Sequence, residues 1–228
     1  MLIKEVIERI QNLYNEGVLP YYNRLSNRRI YSIIMSSRSL LLGQMLSKHL
    51  KISQNNYELL PCIELETISR ELCPCAIPST CTILRSKEKL PEILISSITY
   101  AIQSVLSTDW AIKFDYLNVN ATRYATYDKY TSTKPSYFIH NDYLYILNTT
   151  TLQYVSMTAI FKDTVETFYK FNCGGDVCLK YSSYLERELS LDINLVPTVI
   201  QMVLQELSAL NTPKNESKGE ASPEQVQD

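Results

Sequence analysis

Tyr137-Phe-Ile-His-Asn-Asp-Tyr-Leu-Tyr-Ile146 is the stretch whose reading decides the fold. Asn141-Asp142 stands between two runs of aromatic and β-favouring residues, and both tolerate the positive φ that a two-residue hairpin turn demands. Such a turn fixes the register. It pairs His140 with Tyr143, Ile139 with Leu144, Phe138 with Tyr145 and Tyr137 with Ile146. Side chains alternate along a strand, so one face carries Tyr137, Ile139, Leu144 and Ile146, a set fit for a core. The other carries Phe138, His140, Tyr143 and Tyr145. That aromatic face needs water at its polar tips or a partner.

Strand signals continue on both sides of the hairpin. Cys62-Ile-Glu-Leu-Glu66 alternates apolar and polar residues, as a half-buried strand does. Thr80–Ser86, Ile93–Ser107, Ala111–Leu117, Ala121–Asp128 and Tyr154–Phe161 are further candidates, rich in Thr, Ile, Val and Tyr. Pro61, Pro74, Pro78 and Pro91 read as punctuation of a region of loops and short strands. A short helical turn is expected near Asp163–Phe171.

Both ends of the chain have the helical period instead. Leu2, Ile3, Val6, Ile7, Ile10, Leu13 and Tyr14 form one stripe, with Gly17 and Pro20 as closing signals. A second helix is expected from the N-cap Ser26 to about Lys51, its apolar face carrying Ile30, Ile33, Ile34, Leu41 and Met45. Near the other end, Pro197 suits a first turn, and Val199, Ile200, Val203, Leu204, Leu207 and Leu210 make the stripe. Asn211–Asp228 has almost nothing to bury and is expected to be disordered. The fold class predicted is α+β: a helical layer built from the N-terminal and C-terminal segments, with a mainly antiparallel β domain inserted between them. Its divisions are a helical region 1–54, a β-rich domain 55–193, a packing helix 194–210 and a tail 211–228.

Composition narrows the function. The chain has 228 residues, 45% hydrophobic, and no apolar run approaches the roughly 18 residues of a membrane helix. Acids interrupt the apolar residues at the N-terminus and no small-residue cleavage site follows, so it does not read as a signal peptide. The six cysteines, Cys62, Cys73, Cys75, Cys81, Cys173 and Cys178, are therefore expected as reduced thiols. Charge is uneven. Residues 1–51 hold eight Lys/Arg against three Asp/Glu, or +5, and residues 52–210 hold twelve against seventeen, or −5. Seventeen tyrosines, nine of them between Tyr100 and Tyr154, suit protein–protein contacts as well as a β-sheet with one wet face.

Chemistry is poorly supplied. His49 and His140 sit in no nucleophile or metalloprotease pattern, and five glycines form no phosphate-cradling loop. The Gly174-Gly175 pair reads as a tight turn, and Glu64 and Glu66 as the solvent face of a strand. Cys62, Cys73, Cys75 and Cys81 have a spacing that matches a zinc site only weakly, which leaves a small zinc-stabilised module as one alternative. Arg24, Arg28, Arg29 and Arg38 form a basic patch on the second helix, which leaves a nucleic-acid-binding module as another. Arg28 and Arg29 lie in its first turn, where the helix dipole disfavours cations and an external acidic partner would relieve them. No enzyme activity and no cofactor are expected.

Several segments resemble structural proteins of crAss-like phages and related tailed phages of Bacteroidetes. They are Arg24-Leu-Ser-Asn-Arg-Arg-Ile-Tyr-Ser-Ile-Ile-Met-Ser-Ser-Arg-Ser-Leu-Leu-Leu42, Leu60-Pro-Cys-Ile-Glu-Leu-Glu-Thr67 with Cys73-Pro-Cys75 and Cys81-Thr-Ile-Leu-Arg85, and Lys129 through Tyr145. The resemblance runs from about residue 2 to 210. It implies a virion protein assembled in the host cytoplasm: a homo-oligomeric, twelve-fold ring of the head-to-tail connector, below the portal through which the genome passes. The partners it implies are the portal and other connector or tail proteins, with non-specific contact to genomic DNA in the channel and no membrane. On this reading the candidate partner interface is Arg24, Arg28, Arg29, Phe138, His140, Tyr143 and Tyr145.

Overall fold

The computed structural model describes residues 1–15, 25–69, 82–95, 100–122, 134–149, 151–164 and 184–211. The tail expectation beyond Asn211, the helix-closing Gly17 and Pro20, the strand reading from residue 123 on and most of the turn near Asp163–Phe171 fall outside these residues. Ala121 and Thr122, the start of that strand candidate, instead close the short 3-10 turn Val119–Ala121, and Asn211 ends a helix.

The hairpin forms as its turn chemistry demands. β5 (Ser136–His140) and β6 (Tyr143–Leu147) pair His140 with Tyr143 and Tyr137 with Ile146. Asn141 and Asp142 take φ values of 51° and 66°. An L residue in the left-handed region is strained, and glycine at the second turn position relieves that strain. Asp142→Gly is accordingly expected to raise subunit stability by about 0.5–1 kcal/mol, read as a rise in the urea midpoint at unchanged m.

Seven strands complete a closed barrel in the order β1-β2-β6-β5-β4-β3-β7. The others are β1 (Glu58–Ser69), β2 (Thr82–Ser86), β3 (Ile102–Ser107), β4 (Lys113–Tyr116) and β7 (Tyr154–Ala159). Closure corrects the expected α+β layering, in which an antiparallel domain was merely inserted between helices. Two features cause it. The first is the length of β1, which pairs with β7 over Glu58–Glu64 and with β2 over Leu65–Ser69. Its register shifts between Leu60 and Ile63, where Pro61 is exposed and makes no ladder bond, and a bulge of this kind bends a strand around a corner. The second is β4, which pairs antiparallel with β3 and parallel with β5, the one parallel pair among the seven. A closed barrel leaves no sheet edge to pair with another chain.

The interior is apolar. Leu60, Ile63, Leu65, Val105, Phe114, Tyr137, Ile139, Leu144, Ile146, Val155 and Met157 form one cluster, which Leu90, Ile93 and Phe161 extend. Among the described residues three helices pack beside the barrel: α1 (Ile3–Tyr14), α2 (Asn27–Ser47) and α3 (Val196–Asn211). Ile3, Val6, Ile7 and Ile10 of α1 meet Ile30 and Ile34 of α2 and Val199, Ile200, Val203 and Leu207 of α3. The α1 start is closed by Glu5, whose carboxylate accepts the Leu2 N–H at 2.9 Å. Leu42 of α2 joins the helices to the barrel end through Leu94, Ala101 and Ile160. Among the described residues no helix is long and apolar enough to cross a membrane.

Candidate assembly surface

The residues singled out from the sequence fall in different environments. Arg28 and Arg29 lie in the first turn of α2, and both are exposed. Ser26, the N-cap, makes no side-chain capping bond, and the first turn holds no acid. Among the described residues neither arginine makes an ion pair, so two cations sit unneutralised at the positive pole of a 21-residue helix. Arg24 falls outside the described residues.

Arg38 does not belong to that patch. It is 0% exposed and lies inside the molecule. Its Nε donates to Ser190 O at 2.8 Å, Nη1 to Phe161 O at 2.7 Å and Nη2 to Asn56 O at 3.2 Å, while Glu58 Oε1 stands 3.5 Å from Nη2. Burial lowers the guanidinium pKa, and the charges of Glu58, Tyr31 and Asp163 oppose that shift. One side chain thus ties α2 to the segments before β1, after β7 and before α3. Buried Asn56 extends the network, accepting Asp192 N–H at 3.0 Å and donating to Ser53 O at 3.2 Å. The sequence carried a signal for this: Ile30, Ile34, Arg38 and Leu42 recur at every fourth position, which places Arg38 on the buried stripe. A buried arginine requires such carbonyl partners.

The hairpin's aromatic face is divided. Phe138 and Tyr145 stack at 4.8 Å with an interplanar angle of 3°, and they are 0% and 2% exposed. Ile68, Ile83 and Leu147 complete this second small core on the outside of the barrel, and Leu117 and Val119 of the crossover after β4 lie over it. The need for cover is met within the chain at these two positions. His140 and Tyr143 are only partly buried, and the Arg85 guanidinium lies over the Tyr143 ring at 4.6 Å. Arg85 also donates from Nε to Glu66 at 3.1 Å, and Lys87 reaches Glu64 at 3.0 Å. The Glu64/Glu66 pair is therefore a neutralised outer face of β1.

Cys62 is disulfide-bonded, which corrects the expectation of a reduced thiol there and removes its sulfur from any thiolate metal site. Pairing depends on how closely the fold brings two Cα atoms together, and spacing along the chain does not report that. The other five cysteines lie outside the described residues. Among the described residues no cluster of His, Cys, Asp and Glu has the arrangement of a metal site.

No curated protein matches this chain. Residues 5–228 match the model of the phage tail ring protein 2 family. With nearly its whole length matched, the chain belongs to this family of crAss-like phage ring proteins, structural components of the virion tail.

Proposed function

We propose that the protein is the subunit of a closed homo-oligomeric ring in the head-to-tail connector, below the portal, through which the phage genome passes. It works by packing against other chains and catalyses nothing. The observation that carries this reading is the exposed, unneutralised Arg28/Arg29 pair at the start of α2, set against a β-rich portion of net negative charge. A ring of identical subunits joins unlike faces, so a basic face can meet an acidic one without self-repulsion. The closed barrel adds to the reading, because its seven strands offer no free edge, and a contact made on the barrel wall then runs through side chains. His140 and Tyr143 are the parts of the hairpin face that stay accessible to a neighbour.

Arg28→Glu combined with Arg29→Glu is expected to weaken assembly at least tenfold, while thermal unfolding of the isolated subunit changes by less than about 0.5 kcal/mol, as for other exposed positions. Sedimentation of the double variant at matched concentrations checks both halves. Normal assembly by this variant would mean that the basic helix start is merely solvated. Channel DNA offers a second acidic surface to these arginines. That contact should disappear with rising salt in a DNA-binding assay, whereas subunit association is read without DNA.

A further inference from the structure

Trp110 is the only tryptophan of the chain and, at 66%, the most exposed aromatic among the described residues. It sits at the tip of the loop joining β3 to β4, with φ at 62°. A bulky side chain in the left-handed region is strained, and such a conformation persists only where its surroundings enforce it. Here they do. Trp110 N–H donates to Ser107 O at 2.9 Å, and Ser107 N–H to Ile112 O at 2.9 Å. Ile112 N–H donates to Ser107 Oγ at 2.9 Å, the Ser107 hydroxyl donates to Asp109, and Ala111 N–H reaches the same Asp109 oxygen at 3.1 Å. These bonds from Ser107 and Ala111 hold the Asp109 carboxyl below its usual range, so it is an ionised acceptor at neutral pH. Together the bonds hold the turn in place, and the indole stands largely exposed on it.

At the other end of the same two strands lies a cleft of about 200 Å3 lined by Tyr100, Ile102, Tyr116 and Tyr137. Tyr116 and Tyr137 meet edge to face at 5.6 Å, and Tyr116 is 44% exposed. For scale, an apolar cavity of about 150 Å3 holds a benzene ring. Exposed Asp142 and Asp115 flank the cleft. Burial raises the pKa of Tyr100 and of Tyr137, neighbouring Tyr116 adds to both, and Asp142 and Asp115 respectively add to that rise. Lys113, exposed and without an ion pair among the described residues, stands just beyond the Trp110 loop. Tip and cleft therefore share aromatic character, and Lys113 offers the acidic cleft an opposite charge, while the Asp109 carboxylate at the tip is engaged by Ser107 and Ala111. Tip and cleft are separated by the length of β3, about 17 Å at ~3.3 Å per residue, so a subunit's tryptophan does not reach its own cleft.

We propose that Trp110 is the knob of a head-to-tail contact between copies of this chain, seated among Tyr100, Tyr116 and Tyr137 of the neighbouring subunit, with Lys113 facing the neighbour's Asp115 or Asp142. The proposal rests on the ring reading. Because tip and cleft are different surfaces, the contact is heterologous and each subunit offers both halves, which is the requirement for a closed ring.

The single tryptophan supplies its own reporter. Intrinsic fluorescence and acrylamide quenching of the purified full chain are followed alongside native mass as concentration rises. Emission should shift to the blue and quenching fall in step with the mass. Trp110→Ala should weaken self-association by roughly 30-fold or more, as loss of a buried aromatic anchor does. Tyr116→Ala should weaken it similarly and leave the indole solvent-exposed, with subunit unfolding little changed. Should Trp110→Ala misfold, Trp110→Phe and the wild-type fluorescence carry the test. A ring that forms with unshifted emission overturns this contact and leaves the ring reading standing. A shift that appears only on adding the portal or another tail protein overturns the second copy as the occupant. A chain that never self-associates overturns both.

Discussion

Arg38→Ala should lower the unfolding free energy of the subunit by about 3–5 kcal/mol, the range for breaking one partner out of a buried ion pair. The side chain is fully buried and serves three backbone carbonyls, on Ser190, Phe161 and Asn56, as well as Glu58. Alanine leaves those buried acceptors without donors and opens a void between α2 and the barrel end. Arg38→Lys should recover little, since one ammonium cannot reproduce a planar fork that bonds in three directions. Arg38→Met combined with Glu58→Gln should do better than Arg38→Met alone, because it removes the counter-charge together with the charge. Urea unfolding of the four variants checks the order, with Arg28→Ala as the exposed control. A loss below about 1 kcal/mol for Arg38→Ala would mean that the junction is held by apolar packing alone.

Phe138→Ala should also cost about 3–5 kcal/mol, as deletion of a fully buried aromatic ring does. The ring stacks on Tyr145 and packs beside Ile68, Ile83 and Leu147. For a chain of this size the loss corresponds to a fall in Tm of about 6–20 °C. The effect is expected in the isolated subunit and before any assembly. A ring lost from a subunit–subunit contact gives the opposite pattern, with subunit Tm unchanged and assembly weakened. Phe138→Ala and the Arg28/Arg29 double variant therefore separate what holds the subunit together from what joins subunits.

The parts of this fold that were legible in the sequence are those fixed by neighbours along the chain. Asn141-Asp142 specifies a turn, the turn specifies the register, and the register sorts Tyr137, Ile139, Leu144 and Ile146 into the core. The α1 stripe, apart from Leu13, which is exposed, and the α3 start at Val196-Pro197 were readable for the same reason. Barrel closure was not, because it depends on β1 meeting β7 and on β4 lying parallel to β5, pairings between distant segments. Pro61 shows the ambiguity: read as loop punctuation, it sits inside β1 where the strand bends. Arg38 was grouped with Arg28 and Arg29 by charge, whereas its helical phase with Ile30, Ile34 and Leu42 assigns it to the interior. Cover over Phe138 and Tyr145 comes partly from Leu117 and Val119, which local alternation does not report. The Trp110 loop was invisible as well, since its strain arises from bonds among Ser107, Asp109 and Ile112 that composition does not reveal.

The claim that the chain assembles as a closed ring is tested most directly by the native mass of the purified full-length protein, taken across concentration and alongside electron micrographs of the particles. The account predicts one discrete oligomer, an annulus of twelve copies, that forms at the expense of the monomer. A monomer at every concentration, or open chains of indefinite length, would contradict it.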